Sequence, residues 1–348
     1  MKIKKMAACV LAASVMIASF SGCTLKTDTP VIGKIVGLKS DEIFQIDELV
    51  CSRQEYMLVL MNTENQYKSD FGGSVDWNTK IKGKTTLQNY VMEKVKEDLS
   101  VQYTLAAMAQ SKGIQLMDKE KEKIVKAADT YYNSLTGEEK EYTNADVTDV
   151  EKVYTNYLLS EKLYEHMTKN IGTKISDEEA RVIKIQYIRM NDTKTEQSKI
   201  KTTLENVIDL VNGGYQQFSR EAKQYSEDSG FEKIIKKNEA STNYEKEAFN
   251  LNSSEMSNII KEGNDYYLVY CVESYMKNET EKNKQSLIKN AKEEYFNKQY
   301  NYFLEDAKTD FNTSASKKIA LSESDNVKNT NLMQIYQTCL LYTSDAAD

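Results

Sequence analysis

Gly214–Asp228, with the sequence GYQQFSREAKQYSED, and Tyr244–Ser257, with the sequence YEKEAFNLNSSEMS, are the stretches that decide the fold. The first predicts a short amphipathic helix, because Phe218, Ala222 and Tyr225 fall on one face at helical spacing. The second predicts a shorter helix that ends in a polar turn. Both therefore belong to a compact mixed domain rather than to a long helical bundle.

The neighbouring segments complete this domain. Val182–Met190 alternates apolar and polar residues, which predicts a strand, and Thr193–Val211 has the spacing of an amphipathic helix. Met256–Ile260 and Tyr266–Val272 read as two strands joined by a tight turn. The order of strand, helices, short helix and hairpin predicts an α+β domain over residues 179–276.

The remaining sequence is predominantly helical. Residues 32–178 predict an N-terminal helical domain, and the strongest stripe in it is Leu87, Val91, Val95, Leu99 and Tyr103. Residues 277–311 predict a C-terminal helix whose apolar face packs on that domain. The fold class is thus α+β, with a helical domain made from both ends of the chain and an inserted mixed domain. Residues 312–338 are rich in Ser, Lys and Asn and predict a flexible tail.

The two ends of the chain carry signals other than fold. Residues 1–22 predict a secretory signal peptide, with lysines followed by an apolar run too short to span a bilayer. Ser21-Gly22-Cys23 resembles the bacterial lipobox, which implies lipidation of Cys23 and a tether over residues 23–31; the alternative is ordinary cleavage with Cys23 an incidental thiol. Residues 339–348 resemble a translated sequencing adapter, and we expect them to be an artefact.

The two quoted segments are similar to the parvulin patterns G-x-x-F-x-x-x-A-x-x-Y-S-x-D and F-E-x-A-A-F-x-L-x-x-G-E-I-S. Across about residues 32–310, the element order resembles PrsA-like foldase lipoproteins and SurA-type chaperones. This resemblance implies a helical chaperone domain with a parvulin-like peptidyl-prolyl isomerase domain inserted in it.

The resemblance also implies site residues and shows where this chain departs from the family. Parvulins place one histidine in the first strand and one in the last, whereas the only histidine here, His166, lies outside the domain. Gln186 and Tyr267 are predicted to hold those two places. Asp228 is the candidate catalytic acid, and Tyr244 is the predicted ring of the proline pocket. The predicted substrate-binding set is Gln186, Asp228, Tyr244 and Tyr267, and whether isomerase activity survives is left open.

The function implied is that of a chaperone, lipid-anchored at the outer face of the cytoplasmic membrane, that binds unfolded or partly folded secreted polypeptides. The first alternative is an active prolyl isomerase with a histidine-free site. The second is a solute-binding or envelope scaffold lipoprotein without a role in folding.

Composition argues against several other classes of function. The net charge is −7 and no basic stripe is present, which argues against a nucleic-acid partner. A single histidine and the absence of clustered Cys and His residues argue against a zinc site. We expect neither a metal nor a cofactor.

Overall fold

The computed structural model describes residues 37–73, 75–81 and 85–341. The chain forms two compact units: the first runs to Lys169 and resumes at Glu293, and the second is Asn170–Lys292. Both helices and strands are present, and the predicted α+β class is confirmed. The predicted signal peptide and the lipidation site Cys23 lie outside the described residues.

The first unit is mainly helical, and its helices follow the apolar stripes of the sequence. Its elements are β1 (Glu42–Ile46), β2 (Leu49–Ser52), α1 (Arg53–Asp70), β3 (Lys80–Ile81), β4 (Thr85–Thr86), α2 (Leu87–Ser111), α3 (Asp118–Ser134), α4 (Gly137–Thr143) and α5 (Val147–Thr168). The stripe of five apolar residues, spaced four apart from Leu87 to Tyr103, is buried along α2 as the sequence predicts. Thr86 caps α2 by accepting a hydrogen bond from the Asn89 N–H.

The C-terminal part of the chain adds to this unit. Helix α9 (Lys277–Asp306) belongs to this unit from Glu293 onwards, and this part of it places Phe296 and Tyr300 in one apolar cluster with Leu105 and Leu163. After it, β9 (Thr309–Phe311) pairs antiparallel with β1, which gives a three-stranded sheet in the order β2-β1-β9.

The segment after β9 differs from the flexible tail predicted for residues 312–338. It contains the helical turns α10 (Thr313–Ser316) and α11 (Leu332–Tyr336), followed by a π-helical turn over Gln337–Leu341. Five of its apolar side chains are buried in the main core of the first unit, namely Ala315, Ile319, Val327, Leu332 and Tyr336. These residues stand at irregular spacings among Ser, Lys and Asn, so the composition of the segment conceals that it packs. Leu340, within the predicted artefact, is also buried.

The second unit is built on one antiparallel sheet. Its elements are β5 (Val182–Asn191), α6 (Gln197–Asn212), α7 (Phe218–Tyr225), β6 (Glu232–Lys236), α8 (Asn243–Ala248), β7 (Ile260–Glu262) and β8 (Asp265–Glu273). The strand order is β6-β5-β8-β7. The hairpin of β7 and β8 turns at Gly263, whose φ of +62° favours glycine.

Apolar clusters cover both faces of this sheet. On one face, Ile188 of β5 and Leu268 of β8 pack with residues of α6 and α7. On the other face, Ile185 and Val269 pack with Tyr244 of α8. Because successive strand residues point to opposite faces, a shift of one residue along β5 changes the face on which a side chain lies.

A buried carboxylate lies at the start of α1 in the first unit. Glu55 is fully buried, accepts a hydrogen bond from the Tyr103 hydroxyl and lies 3.3 Å from the Lys152 ammonium. Tyr103 and Lys152 also line a cavity of about 360 Å³ together with Glu151. Burial raises the pKa of Glu55 from 4.5 to about 7, although Lys152 opposes this shift.

This raised pKa makes the stability of the fold depend on pH. The folded state holds the Glu55 proton more tightly than the unfolded chain does, so the stabilisation is complete below pH 4.5 and is lost as the pH rises through about 7. We expect the Glu55 contribution to fall by about 1–2 kcal/mol over this range, less than the full shift implies because the adjacent cavity lets water relax the charge. Glu55→Gln should flatten the dependence, as measured by urea unfolding between pH 4.5 and 8, and Glu151→Gln is the matched control. A slope that Glu55→Gln leaves unchanged would contradict this account.

Among the helices of the described residues, none is long and apolar enough to span a bilayer.

Candidate functional site

Three tyrosines converge on the face of the second unit's sheet that α8 covers. Tyr244 stacks on Tyr267 of β8, with ring centroids 4.3 Å apart and planes 11° apart. Tyr187 of β5 lies 5.7 Å from Tyr244 and 6.5 Å from Tyr267, centroid to centroid. We call Tyr187, Tyr244 and Tyr267 the tyrosine cluster. Tyr187 and Tyr267 are half-buried, so their rings remain partly accessible.

Local sequence explains how the cluster forms. The alternation of β5 places Ile183, Ile185 and Tyr187 on one face, and Tyr267 pairs directly with Arg189, two residues further on. Helix α8 begins close to Tyr244 because the Glu245 carboxylate accepts main-chain hydrogen bonds at its N-terminus, including one of 3.2 Å from the Thr242 N–H. Tyr244 therefore projects from the first turn of α8 onto the sheet.

An arginine clamps two carboxylates beside the tyrosines. The Arg189 guanidinium donates to Asp228 at 2.9 Å through Nη1, and its Nη2 lies 2.8 Å from the Asp265 carboxylate. The main chain of the same arginine accepts from the Glu227 N–H at 2.8 Å, and its N–H donates to the Ser226 hydroxyl at 3.2 Å. This clamp fixes the loop after α7 against β5 and so fixes Asp228 at the rim of the cluster.

The acid at the rim affects the nearest tyrosine. Burial, together with the negative charge of Asp228, raises the pKa of Tyr187 to about 12. At neutral pH the Tyr187 hydroxyl is thus protonated and serves as a hydrogen-bond donor rather than as a general base. The Arg189 pKa is raised by its hydrogen bond to Asp265, so its charge is permanent.

A second ion pair borders Tyr244. The Lys233 ammonium forms an ion pair with Glu245 and lies 3.5 Å from the Tyr244 hydroxyl. Burial would raise the pKa of Glu245, but Lys233 and the N–H groups of Ser241 and Thr242 lower it to about 2. The carboxylate is therefore ionised throughout the physiological range.

The structure brings together three of the four predicted binding residues and separates the fourth from them. Tyr244 and Tyr267 are in contact, and Asp228 lies beside Tyr187. Gln186 pairs with Tyr270 and donates to Glu232 at 3.1 Å, on the opposite face of the sheet. The structure therefore does not place Gln186 with the other three predicted residues, and Tyr187, the next residue of the strand, lies in the cluster instead.

Sequence reasoning missed Arg189, Asp265 and Lys233 as well as Tyr187. The alternation of β5 was the available signal, since it puts Tyr187 and Arg189 on the same face and Gln186 on the other. The pairing of Arg189 with two distant acids depends on tertiary contacts that spacing does not reveal.

No group of three or more His, Cys, Asp or Glu residues able to hold a metal occurs in the part of the chain that the structure describes.

Comparison with protein families identifies the domain that carries this site. Residues 183–273 match the rotamase family model, described as the PPIC-type PPIase domain. The chain therefore carries a parvulin-type peptidyl-prolyl isomerase domain in its second unit.

Solved structures give more distant similarities. Peptidylprolyl isomerase PrsA from Bacillus cereus is 16% identical, covers 88% of this chain and 98% of its own, and has a TM-score of 0.32. PrsA from Bacillus subtilis is 21% identical over 70% of this chain and 91% of its own, with a TM-score of 0.23. Foldase protein PrsA from Streptococcus pneumoniae is 18% identical over 74% of this chain and 98% of its own, with a TM-score of 0.24. No curated protein matches the chain. The match to a known family thus covers residues 183–273.

Proposed function

We propose that this protein is an extracytoplasmic, membrane-anchored chaperone of the foldase type that binds unfolded secreted polypeptides. The observation that carries the proposal is the tyrosine cluster on a parvulin-type domain. Aromatic rings contribute large apolar contacts with little loss of conformational freedom, and their hydroxyls donate to peptide carbonyls. Such a surface binds extended chain without requiring an acid–base group.

The clamp at the rim supports binding rather than chemistry. Nη1 of Arg189 forms an ion pair with Asp228, and Nη2 forms one with Asp265. Asp228 is therefore held in place by the arginine. A fixed rim keeps the tyrosine rings in place before a client arrives, which reduces the entropy lost on binding. We therefore assign Asp228, Tyr244 and Tyr267, together with Tyr187, to client binding.

A direct test is suppression of aggregation. When the disulfides of a secreted protein are reduced, the protein aggregates and its solution becomes turbid. The purified foldase-type protein, added at stoichiometric concentration, should reduce this turbidity. A scaffold or solute-binding lipoprotein would leave the turbidity unchanged, and that result would overturn the proposal.

Prolyl isomerisation is a second candidate function, favoured by the position of Asp228 beside the Tyr187 hydroxyl in a domain of this family. The reaction requires only a twisted amide, which a pocket can stabilise by differential binding. Uncatalysed isomerisation takes tens of seconds, so acceleration is easy to detect in proline-limited refolding. Acceleration abolished by Asp228→Ala would assign catalysis to this site, and no acceleration from a folded protein would leave the tyrosine cluster as a binding surface.

Membrane anchoring rests on Cys23 and has its own test. Cys23→Ala should move the protein from the membrane fraction to the soluble extracytoplasmic fraction, because acylation at this residue would supply the stable anchor. Cys9→Ala, which changes a cysteine within the apolar run of the predicted signal peptide, is the matched control and should leave fractionation unchanged. Continued membrane association of Cys23→Ala would exclude the lipid anchor.

A further inference from the structure

Residues 320–332 of the first unit cross its helices as irregular chain up to the first residue of α11. We call this segment the strap. Only Val327 and Leu332 of the strap have buried side chains, and most of the others are exposed. A segment with so few buried apolar contacts opens at lower free energy than the core around it.

Buried carboxylates of the helical unit bind the main chain of the strap. The Glu64 carboxylate accepts from the Ser322 N–H at 3.1 Å. Glu139 Oε1 accepts from the Lys328 N–H at 2.8 Å and from the Asn329 N–H at 2.7 Å. Both glutamates are almost completely inaccessible, with exposed fractions of 0% for Glu64 and 3% for Glu139.

Neutral side chains of the same helices bind further main-chain atoms of the strap. The Tyr142 hydroxyl donates to the Ala320 carbonyl at 3.1 Å, and the Asn65 amide donates to the Asn329 carbonyl at 2.9 Å. The Asn62 side chain accepts from the Leu332 N–H at 3.0 Å, and the Tyr154 hydroxyl donates to the Leu332 carbonyl at 2.7 Å. We call this receiving surface on α1, α4 and α5 the strap groove. Its polar groups recognise N–H and C=O groups, which every polypeptide presents at similar spacing.

The groove also has internal partners that would hold its carboxylates if the strap left. Glu64 forms an ion pair with Lys68 at 2.7 Å. The Tyr142 hydroxyl also lies 3.0 Å from Glu64, and its one proton, shared with the Ala320 carbonyl while the strap is bound, would pass wholly to Glu64 if the strap left. Glu139 accepts from the Thr136 N–H at 2.9 Å. The carboxylates would still lose some of their donors, and buried acceptors are costly when unmatched, so another N–H donor should replace the strap. An extended polypeptide supplies such donors at each residue.

We propose that the strap groove is a binding site for the main chain of unfolded client polypeptides, and that the strap is an internal occupant that clients displace. The inference rests on the proposed chaperone function and assigns it a site separate from the tyrosine cluster. Because the strap occupies the groove, the apparent affinity for clients equals the affinity of the open groove multiplied by the fraction of molecules in which the groove is open. It also keeps the groove from exposing buried acceptors when no client is present.

A proline pair tests the proposal without changing the groove. The double variant Ser322→Pro/Asn329→Pro removes two N–H groups that Glu64 and Glu139 accept. Its Kd for reduced, carboxymethylated α-lactalbumin should be about tenfold lower than that of the wild type. A fluorescent synthetic peptide of residues 320–332 should bind the variant in trans, and the carboxymethylated protein should displace it.

The matched control is Glu323→Ala/Asp325→Ala, which alters two exposed strap side chains and removes no main-chain donor. It should bind the client as the wild type does. If the proline variant retains the wild-type melting temperature and binds the client no more tightly, the strap is a structural element only and the proposal is overturned.

If the proline variant fails to fold, hydrogen exchange measured on the wild type with and without client still tests the proposal. Bound client should accelerate exchange at Ser322, Lys328 and Asn329 and slow exchange in α1. Client binding with unchanged exchange in the strap would overturn the groove assignment but leave the chaperone function intact. Failure of both wild type and variant to bind client would overturn the proposed function itself.

Discussion

Tyr267→Ala is expected to weaken binding of an unfolded client about 30-fold. The substitution removes the ring that stacks on Tyr244 at 4.3 Å and leaves a gap in the tyrosine cluster. Central aromatic residues of binding sites commonly contribute about 2 kcal/mol, which corresponds to this factor. Fluorescence anisotropy with labelled, carboxymethylated α-lactalbumin measures the change directly.

The same strand provides a matched control for this substitution. Tyr270 is also a half-buried tyrosine of β8, but it lies on the opposite face, where its ring stacks on Phe218 at 5.3 Å. Tyr270→Ala should lower stability through lost packing and leave the client Kd within about twofold of the wild type. Equal losses of affinity in the two variants would show that the tyrosine cluster has no specific part in binding.

Tyr336→Ala is expected to lower the free energy of unfolding by about 3–5 kcal/mol, as truncation of a buried aromatic ring does. Tyr336 is 1% exposed and packs between Tyr154 and Tyr157, with ring centroids 5.4 and 5.6 Å away. The cavity left between these rings cannot collapse without moving α5. Urea unfolding followed by circular dichroism measures the loss.

The isosteric control separates packing from hydrogen bonding. Tyr336→Phe keeps the ring and removes only the hydroxyl, which donates to Glu161 at 3.0 Å. Its expected cost is about 1 kcal/mol. A change below about 0.5 kcal/mol in Tyr336→Ala would mean that the segment is detached, as the sequence predicted for residues 312–338.

The structure departs from the sequence interpretation at Gln186 and in residues 312–338, and the two differences have different physical origins. The α+β class follows from periodicity, which is local and strong in α2 and β5. Gln186 was assigned by resemblance, and an error of one residue in a strand moves a side chain to the other face of the sheet. Tyr187 could have been found by requiring that the first-strand residue share a face with Arg189, the partner of Tyr267 across the strands.

The packing of the C-terminal segment could not be predicted from the periodicity of its apolar residues. Its apolar residues have no regular spacing, and its main chain is bonded by side chains more than 170 residues distant, such as Tyr154 to the Leu332 carbonyl. Those donors and acceptors lie on α1, α4 and α5, and the tertiary arrangement of these helices does not follow from the spacing of residues in the sequence. The strap groove is therefore visible only in the structure.

The most direct measurement of the central claim is binding of an unfolded secreted protein by the purified protein. Labelled α-lactalbumin, reduced and carboxymethylated, should raise its anisotropy on titration with a saturable Kd, whereas native α-lactalbumin with intact disulfides should not. Discrimination of the unfolded from the folded form is the result that a chaperone predicts. Absence of binding to the unfolded form, from a protein shown to be folded, would contradict the account.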